Sequence, residues 1–289
     1  MTAPVVVGID DIHNGAHALA LAAREAELRG SQLWIAHAYH RLPASTAGEK
    51  TTVSVRDPEV EPLAQAVKQA RAEHPGLEVH GYAVGGPPAL GLTGLARDAA
   101  LLVLGHRGRG GFAGMLLGSV ALRTAARASG PVAVACGAER AVDRVLVGLD
   151  IADPSDGAAL LGYAFAEAAL RRAELVAVHV WQDSGSFYPD PVGDYTPDRL
   201  AELDGDHRRT LEAVLAPWRG RHPEVVVDTL VEGGSAARGL VAASGHADLL
   251  VIGARRHADG AGLRLGVLAY SLLHHAKCPV VVVPDAAGR

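Results

Sequence analysis

The feature that most constrains this chain is an internal repeat. Val5-Val6-Val7-Gly8-Ile9-Asp10 returns as Val145-Leu146-Val147-Gly148-Leu149-Asp150. Trp34-Ile35-Ala36-His37-Ala38-Tyr39 returns as Val176-Ala177-Val178-His179-Val180-Trp181. Leu101-Leu102-Val103-Leu104-Gly105 returns as Leu249-Leu250-Val251-Ile252-Gly253, and Pro131-Val132-Ala133-Val134 as Pro279-Val280-Val281-Val282. Four landmarks in one order make chance a poor explanation. The offset grows from 140 at the aspartates to 148 at the glycines, which places a few extra residues in the second copy, around 185–197. Copies of this length can each close a core, so two compact domains are predicted, residues 1–140 and 141–289, rather than a solenoid.

Within each copy, apolar runs alternate with helical spacing. Residues 5–9 form a continuous apolar run, as a strand buried on both faces requires. Residues 16–29 have helical spacing and run into Gly30, a residue suited to end a helix. Further strands are predicted over 33–38, 77–84, 101–104 and 132–135. Further helices are predicted over 62–73, 89–98 and 118–129, with a polar, Pro/Gly-broken loop over 42–56. The second copy repeats this from Arg144 to Val283. The alternation predicts an α/β fold of two tandem open parallel five-stranded sheets, with helices on both faces and right-handed crossovers. Ligands of such sheets bind at the carboxyl ends of the strands. Asp10, Ala38 and Gly105 all fall at such ends. The apolar last strands, 132–135 and 280–283, are edges that need covering, so the halves are expected to pack there as a pseudo-dimer. A homodimer of two such chains is compatible with that packing.

Composition limits the function classes. Apolar residues make up 49% and aromatics 4%, so Ala, Val and Leu must pack the cores. A net charge of −5 without a basic run argues against nucleic-acid binding. The two cysteines, Cys136 and Cys278, form no C-x-x-C and occupy non-equivalent places in the repeats. Neither a disulfide framework nor a structural metal is expected from them, and a reducing, cytoplasmic setting is. There is no basic leader before Val5 and no apolar stretch of membrane-spanning length, so neither a signal peptide nor membrane contact is expected.

The chemistry concentrates in Gly105-His106-Arg107-Gly108, followed nine residues later by Gly118-Ser119. This stretch lies between the strand at 101–104 and the next helix. Glycines let backbone N–H groups approach a ligand closely. A helix start adds N–H donors and a positive dipole end, which suits an anion. The pattern therefore reads as a phosphate cradle, and the residues alone do not identify adenine. The spacing G-x2-G-x9-G-[ST] resembles the ATP-binding motif of the universal stress protein family, and the ordered landmarks extend that resemblance over nearly the whole chain. It implies two Rossmann-like domains and ATP with Mg²⁺ as cofactor, in a nucleotide-dependent regulator of the stress response working with an unnamed protein partner. Carried over by position, Asp10 receives the adenine edge and Ala38 lines the adenine pocket. Leu104, Gly105 and Gly108 follow the ribose and phosphates, Arg107 and Arg109 stand near the phosphates, and Gly118, Ser119 and Val120 hold them.

Departures from the family pattern matter equally. Asp11-Ile12 stands where members commonly carry Gly-Ser, and a second carboxylate there either repels phosphate or helps hold a divalent cation. In the second copy Gly253 and Gly266 are kept, but Arg256 replaces the second glycine and Val267 the closing serine. Its candidate set is Asp150, Val180, Gly253, Arg255, Arg256 and Gly266, expected to bind nucleotide poorly or not at all. Plainer readings compete elsewhere. Asp10 and Asp150 are also suited to capping a loop. His37 and His179 read as hydrogen-bonded core, and His274-His275 as a surface pair near a helix end. The stretch 108–113 matches G-x-G-x-x-[GA] but follows the fourth strand and opens no helix, so it is not a dinucleotide fingerprint. No P-loop, G-x-S-x-G or evident general base is present, which leaves at most slow hydrolysis and no catalytic residue to name. Two alternatives stand beside the regulator. One is an ATP-using enzyme of the nucleotide-α-hydrolase-like group, drawing residues from 41–56 and 182–197. The other is an interaction scaffold with both sites vestigial.

Overall fold

The computed structural model describes residues 2–10, 12–39, 61–106, 117–138, 140–151, 157–182, 196–256 and 263–284. In the first half the elements run β1 (Val5–Ile9), α1 (Ile12–Arg29), β2 (Leu33–Tyr39), α2 (Glu61–Glu73), β3 (Val79–Gly85), α3 (Pro88–Leu95), β4 (Leu101–Gly105), α4 (Ser119–Ala125) and β5 (Val132–Ala135). In the second they run β6 (Arg144–Gly148), α5 (Gly157–Arg171), β7 (Glu174–Trp181), α6 (Pro197–Arg221), β8 (Val227–Gly233), α7 (Ala236–Ala243), β9 (Leu249–Arg256), β10 (Leu263–Arg264), α8 (Val267–His275) and β11 (Val280–Pro284). The expected loop at 42–56 lies outside the described residues.

The two halves are joined in one sheet. Strand order is β3-β2-β1-β4-β5-β11-β9-β6-β7-β8, with β10 beside β9. Each half supplies a parallel five-stranded unit, and the units meet where β5 and β11 pair antiparallel, Val134 opposite Val280 and Val132 opposite Val282. Both strands are buried throughout, so pairing satisfies backbone groups that water would otherwise have to reach. The backbones touch closely beyond the strands. Gly137 has φ 61°, and a Cβ there would lie 2.1 Å from the Lys277 carbonyl carbon, so only glycine fits without a shift. Ala138 N–H then donates to the Lys277 carbonyl at 3.1 Å. The link into the second half is tied down by Asp248, whose carboxylate accepts from the N–H groups of Val142 and Arg144, each at 2.9 Å.

Helices cover both faces. On one, α1, α2, α5 and α6 pack over Val5, Val7, Val145, Val147, Val281 and Val283. On the other, α3, α4, α7 and α8 pack over Val6, Leu102, Leu146, Leu250 and Val280. Where α1 meets α5, four buried charges close a ring. Arg29 bonds Glu25 on its own helix and Glu167 on the other, while Arg171 bonds Glu167 and Glu25. Burial opposes the Arg29 charge, but Glu167 and Glu25 outweigh it and raise the guanidinium pKa.

Element boundaries shift in ways that have local causes. Helix α1 begins at Ile12 rather than at 16, because the polar and glycine residues 13–15 hide a first turn. Helix α4 ends at Ala125 rather than 129, its remainder continuing as turns with Ala126 N–H on the Leu122 carbonyl and Ala128 N–H on the Thr124 carbonyl. The extra residues expected around 185–197 lie almost wholly outside the described residues, and α6, which follows them, has 25 residues. Pro197 opens α6, and Thr196 caps it by accepting from Arg199 N–H at 3.3 Å.

Candidate functional site

Strand register assembles the site. Ile9 pairs with His37 and Gly8 with Leu104, so Asp10 sits level with Ala38 and one step beyond the level of Gly105. Strands β2, β1 and β4 are direct neighbours, each spaced by roughly 4.8 Å. Three residues remote in sequence therefore share one edge of the sheet, at the point where the chain order reverses between β1 and β4. Asp10 is exposed, Ala38 and Gly105 half-buried and Leu104 buried.

Helix α4 completes the edge. Gly118 is its N-cap in an extended conformation (φ −71°, ψ 141°), with Ser119 and Val120 exposed in its first turn. The Gly118 N–H donates to the His106 carbonyl at 2.9 Å, and the Gly118 carbonyl accepts from Leu122 at 3.2 Å. One glycine thus ties the helix start to the end of β4. His106 is a contributor that the motif reading passed over. Its place directly after Gly105 was the available signal, and its backbone matters here. The first N–H groups of a helix have no intrahelical acceptor, and the Gly118–His106 bond brings this helix start beside the end of β4. Arg107, Gly108 and Arg109 lie outside the described residues.

The second half has the same skeleton and a different lip. Gly148 pairs with Val178 and Val147 with Val251, which places Asp150 level with Val180 and Leu149 level with Gly253. Beyond Gly253 the strand does not break into a cradle. It continues to Arg256 and pairs antiparallel with β10, Leu263 opposite Arg256 and Arg264 opposite Arg255. A non-glycine pair favours this extended course, and its backbone groups pair with β10. Gly266 still caps α8 in an extended conformation, but Val267 after it is 87% exposed and brings no hydroxyl.

The remaining singled-out residues have structural partners. His37 Nδ1 lies 3.1 Å from the Ile9 carbonyl, and His179 Nδ1 lies 2.9 Å from that of Leu149. His275 is exposed and His274 half-buried, their rings 6.0 Å apart. The Cys136 and Cys278 thiols are buried, and burial pushes both up to about 12. Cys136 Sγ donates to the Leu273 carbonyl at 3.3 Å. Thiols so held are poor nucleophiles. Among the described residues no group of three or more His, Cys, Asp or Glu is placed to hold a metal, and no helix is long and apolar enough to cross a membrane.

Comparison with known proteins places this architecture. The model of the universal stress protein family matches twice, over residues 1–135 and 141–284. A universal stress protein of Mycobacterium tuberculosis is 32% identical over 291 residues, covering 96% of each chain. Another, of Mycolicibacterium smegmatis, is 30% identical over 290 residues, again 96% of each. Among solved structures, a universal stress protein from Archaeoglobus fulgidus aligns with a TM-score of 0.63 at 17% identity, over 99% of this chain and all of that one. That likeness concerns the fold.

Proposed function

The chain belongs to the universal stress protein family, and from that premise we propose that it binds ATP at the β1–β4 edge of its first half and acts as a nucleotide-dependent regulator. The observation that carries the reading is the convergence of Asp10, Ala38, Leu104–Gly105 and Gly118–Val120 on one edge of the sheet. The edge has what a nucleotide needs. Ala38 offers a small apolar wall, Asp10 an acceptor for an amino group, and the start of α4 a set of amide donors for phosphate. Mg²⁺ would accompany the phosphates, and Asp11, next in sequence to Asp10, is the candidate carboxylate for it. In this reading occupancy rather than turnover is the useful output. The glycine-rich segment after β4 is the natural element for a partner to read.

Calorimetric titration of ATP and Mg²⁺ into the full chain tests the reading. Saturation at one site is expected, weakened by about tenfold or more in Gly118→Val, which puts a branched side chain where the phosphates would lie. Absence of any heat of binding in the unaltered chain would move it to the scaffold reading. Pyrophosphate release with a second substrate would move it to the enzyme reading.

A further inference from the structure

We propose that His179 and His207 form a binding site for a borderline divalent transition-metal ion, with Zn²⁺ as its probe. The site belongs to the second half alone and does not depend on the nucleotide reading. His179 lies near the carboxyl end of β7 and is 5% exposed. Its Nδ1 is 2.9 Å from the Leu149 carbonyl. A carbonyl only accepts, so Nδ1 carries the proton and Nε2 presents a lone pair. That Nε2 faces Nδ1 of His207, on α6, at 3.1 Å. Two nitrogens bound to one Zn²⁺ at roughly 2.0–2.1 Å in near-tetrahedral geometry lie about 3.3 Å apart. The pair therefore already has the separation of two ligands, within a few tenths of an ångström. Loading would need a tautomer change at His207, from Nδ1–H to Nε2–H, with no net change of protonation, and a turn of each ring by roughly 35° so that the two lone pairs meet off the N···N line.

The surroundings hold the pair in place and bring negative charge to it. A metal-binding imidazole commonly donates its other N–H to a carbonyl, which fixes the ring, and Leu149 does this for His179. The His207 ring is stacked on Trp181, centroids 5.2 Å apart and planes 4° from parallel. Trp181 Nε1–H donates to Asp204 Oδ1 at 2.7 Å, so the stacking ring is itself anchored. Asp204 lies one turn before His207 on α6, and Asp204 and Asp206 both bring negative charge beside the imidazole. They attract a cation without being counted as ligands. His207 is half-exposed and gives an entry route. Two imidazoles completed by water suit Zn²⁺, Co²⁺, Ni²⁺ or Cu²⁺ far better than Mg²⁺ or Ca²⁺. The first half supplies a contrast. His37 makes the corresponding carbonyl contact, but α2 carries no histidine.

The test uses the full chain, freed of metal with a chelator and kept without nucleotide. Co²⁺ is titrated and followed by its visible absorption, Zn²⁺ by calorimetry, and Mg²⁺ serves as the control. One Zn²⁺ per chain is expected, displacing Co²⁺, with no Mg²⁺ binding. His207→Ala and His207→Gln should each weaken Zn²⁺ by about tenfold or more while circular dichroism is unchanged. His274→Ala, in the surface pair, should leave the affinity alone. No saturable binding by the unaltered chain, or unchanged affinity in both His207 variants, would overturn the site and leave a hydrogen-bonded imidazole pair.

Discussion

Glu25, Arg29, Glu167 and Arg171 show how one pair of residues, used twice, fixes the fit of two halves. Each glutamate accepts from both arginines, and all four side chains are at most 13% exposed. Taking charges out of water is costly, so such a ring is not simply a gain in stability. Its clearest consequence is that no member can leave alone. Glu25→Ala should therefore destabilise the fold by about 3–5 kcal/mol in urea unfolding. Replacing all four with apolar residues of similar size should cost far less. A loss below about 1 kcal/mol for Glu25→Ala would show that water reaches the ring. In the sequence the repetition of Glu and Arg four apart is visible in both helices. The cross-pairing is not, because it depends on α1 facing α5. The same limit hid His207 and Asp204, which acquire partners on β7 only after α6 has packed. Asp10, Ala38 and Gly105 were legible because a strand end can be read from a strand, and parallel order then aligns the ends.

At the scale of elements, most of the plan follows from apolar runs and their spacing. Strands β1 and β5 have the bounds their runs imply. Helix ends moved where glycine or polar residues masked a turn. The two-residue strand β10 has no pattern of its own, since so short a segment shows no period, and it exists because Arg255 and Arg256 stay extended beside it. The long α6 is the most individual element of the second copy. Its interior contains Pro217 and its apolar side is thin, with Leu211 and Leu215 the buried residues. Such a helix leans on its ends. Thr196→Ala removes the cap to Arg199 N–H and should lower stability by about 0.5–2 kcal/mol, read as a reduced urea midpoint at constant slope. An unchanged midpoint would mean that the α6 start frays without consequence.

For the whole molecule, the continuous sheet is the organising fact. Apolar edges at 132–135 and 280–283 announced that something must cover them, and each covers the other. With the seam buried, Gly137 against Lys277 and the charge ring bridging α1 and α5, the halves should not unfold separately. A single calorimetric transition is expected, its calorimetric and van't Hoff enthalpies in agreement, whereas two resolved transitions would show independent domains. The duplication then has an asymmetric outcome. Both halves keep the strand register, but only the first keeps the glycine and serine of the motif, while in the second Arg255 and Arg256 pair with β10. The central claim is one nucleotide site per chain, in the first half. It is tested most directly by the nucleotide released on denaturing freshly purified protein, compared among the unaltered chain, Gly118→Val and Gly266→Val. About one ATP per chain is predicted, lost in Gly118→Val and retained in Gly266→Val. Loss in Gly266→Val with retention in Gly118→Val, or no nucleotide even after incubation with ATP and Mg²⁺, would contradict it.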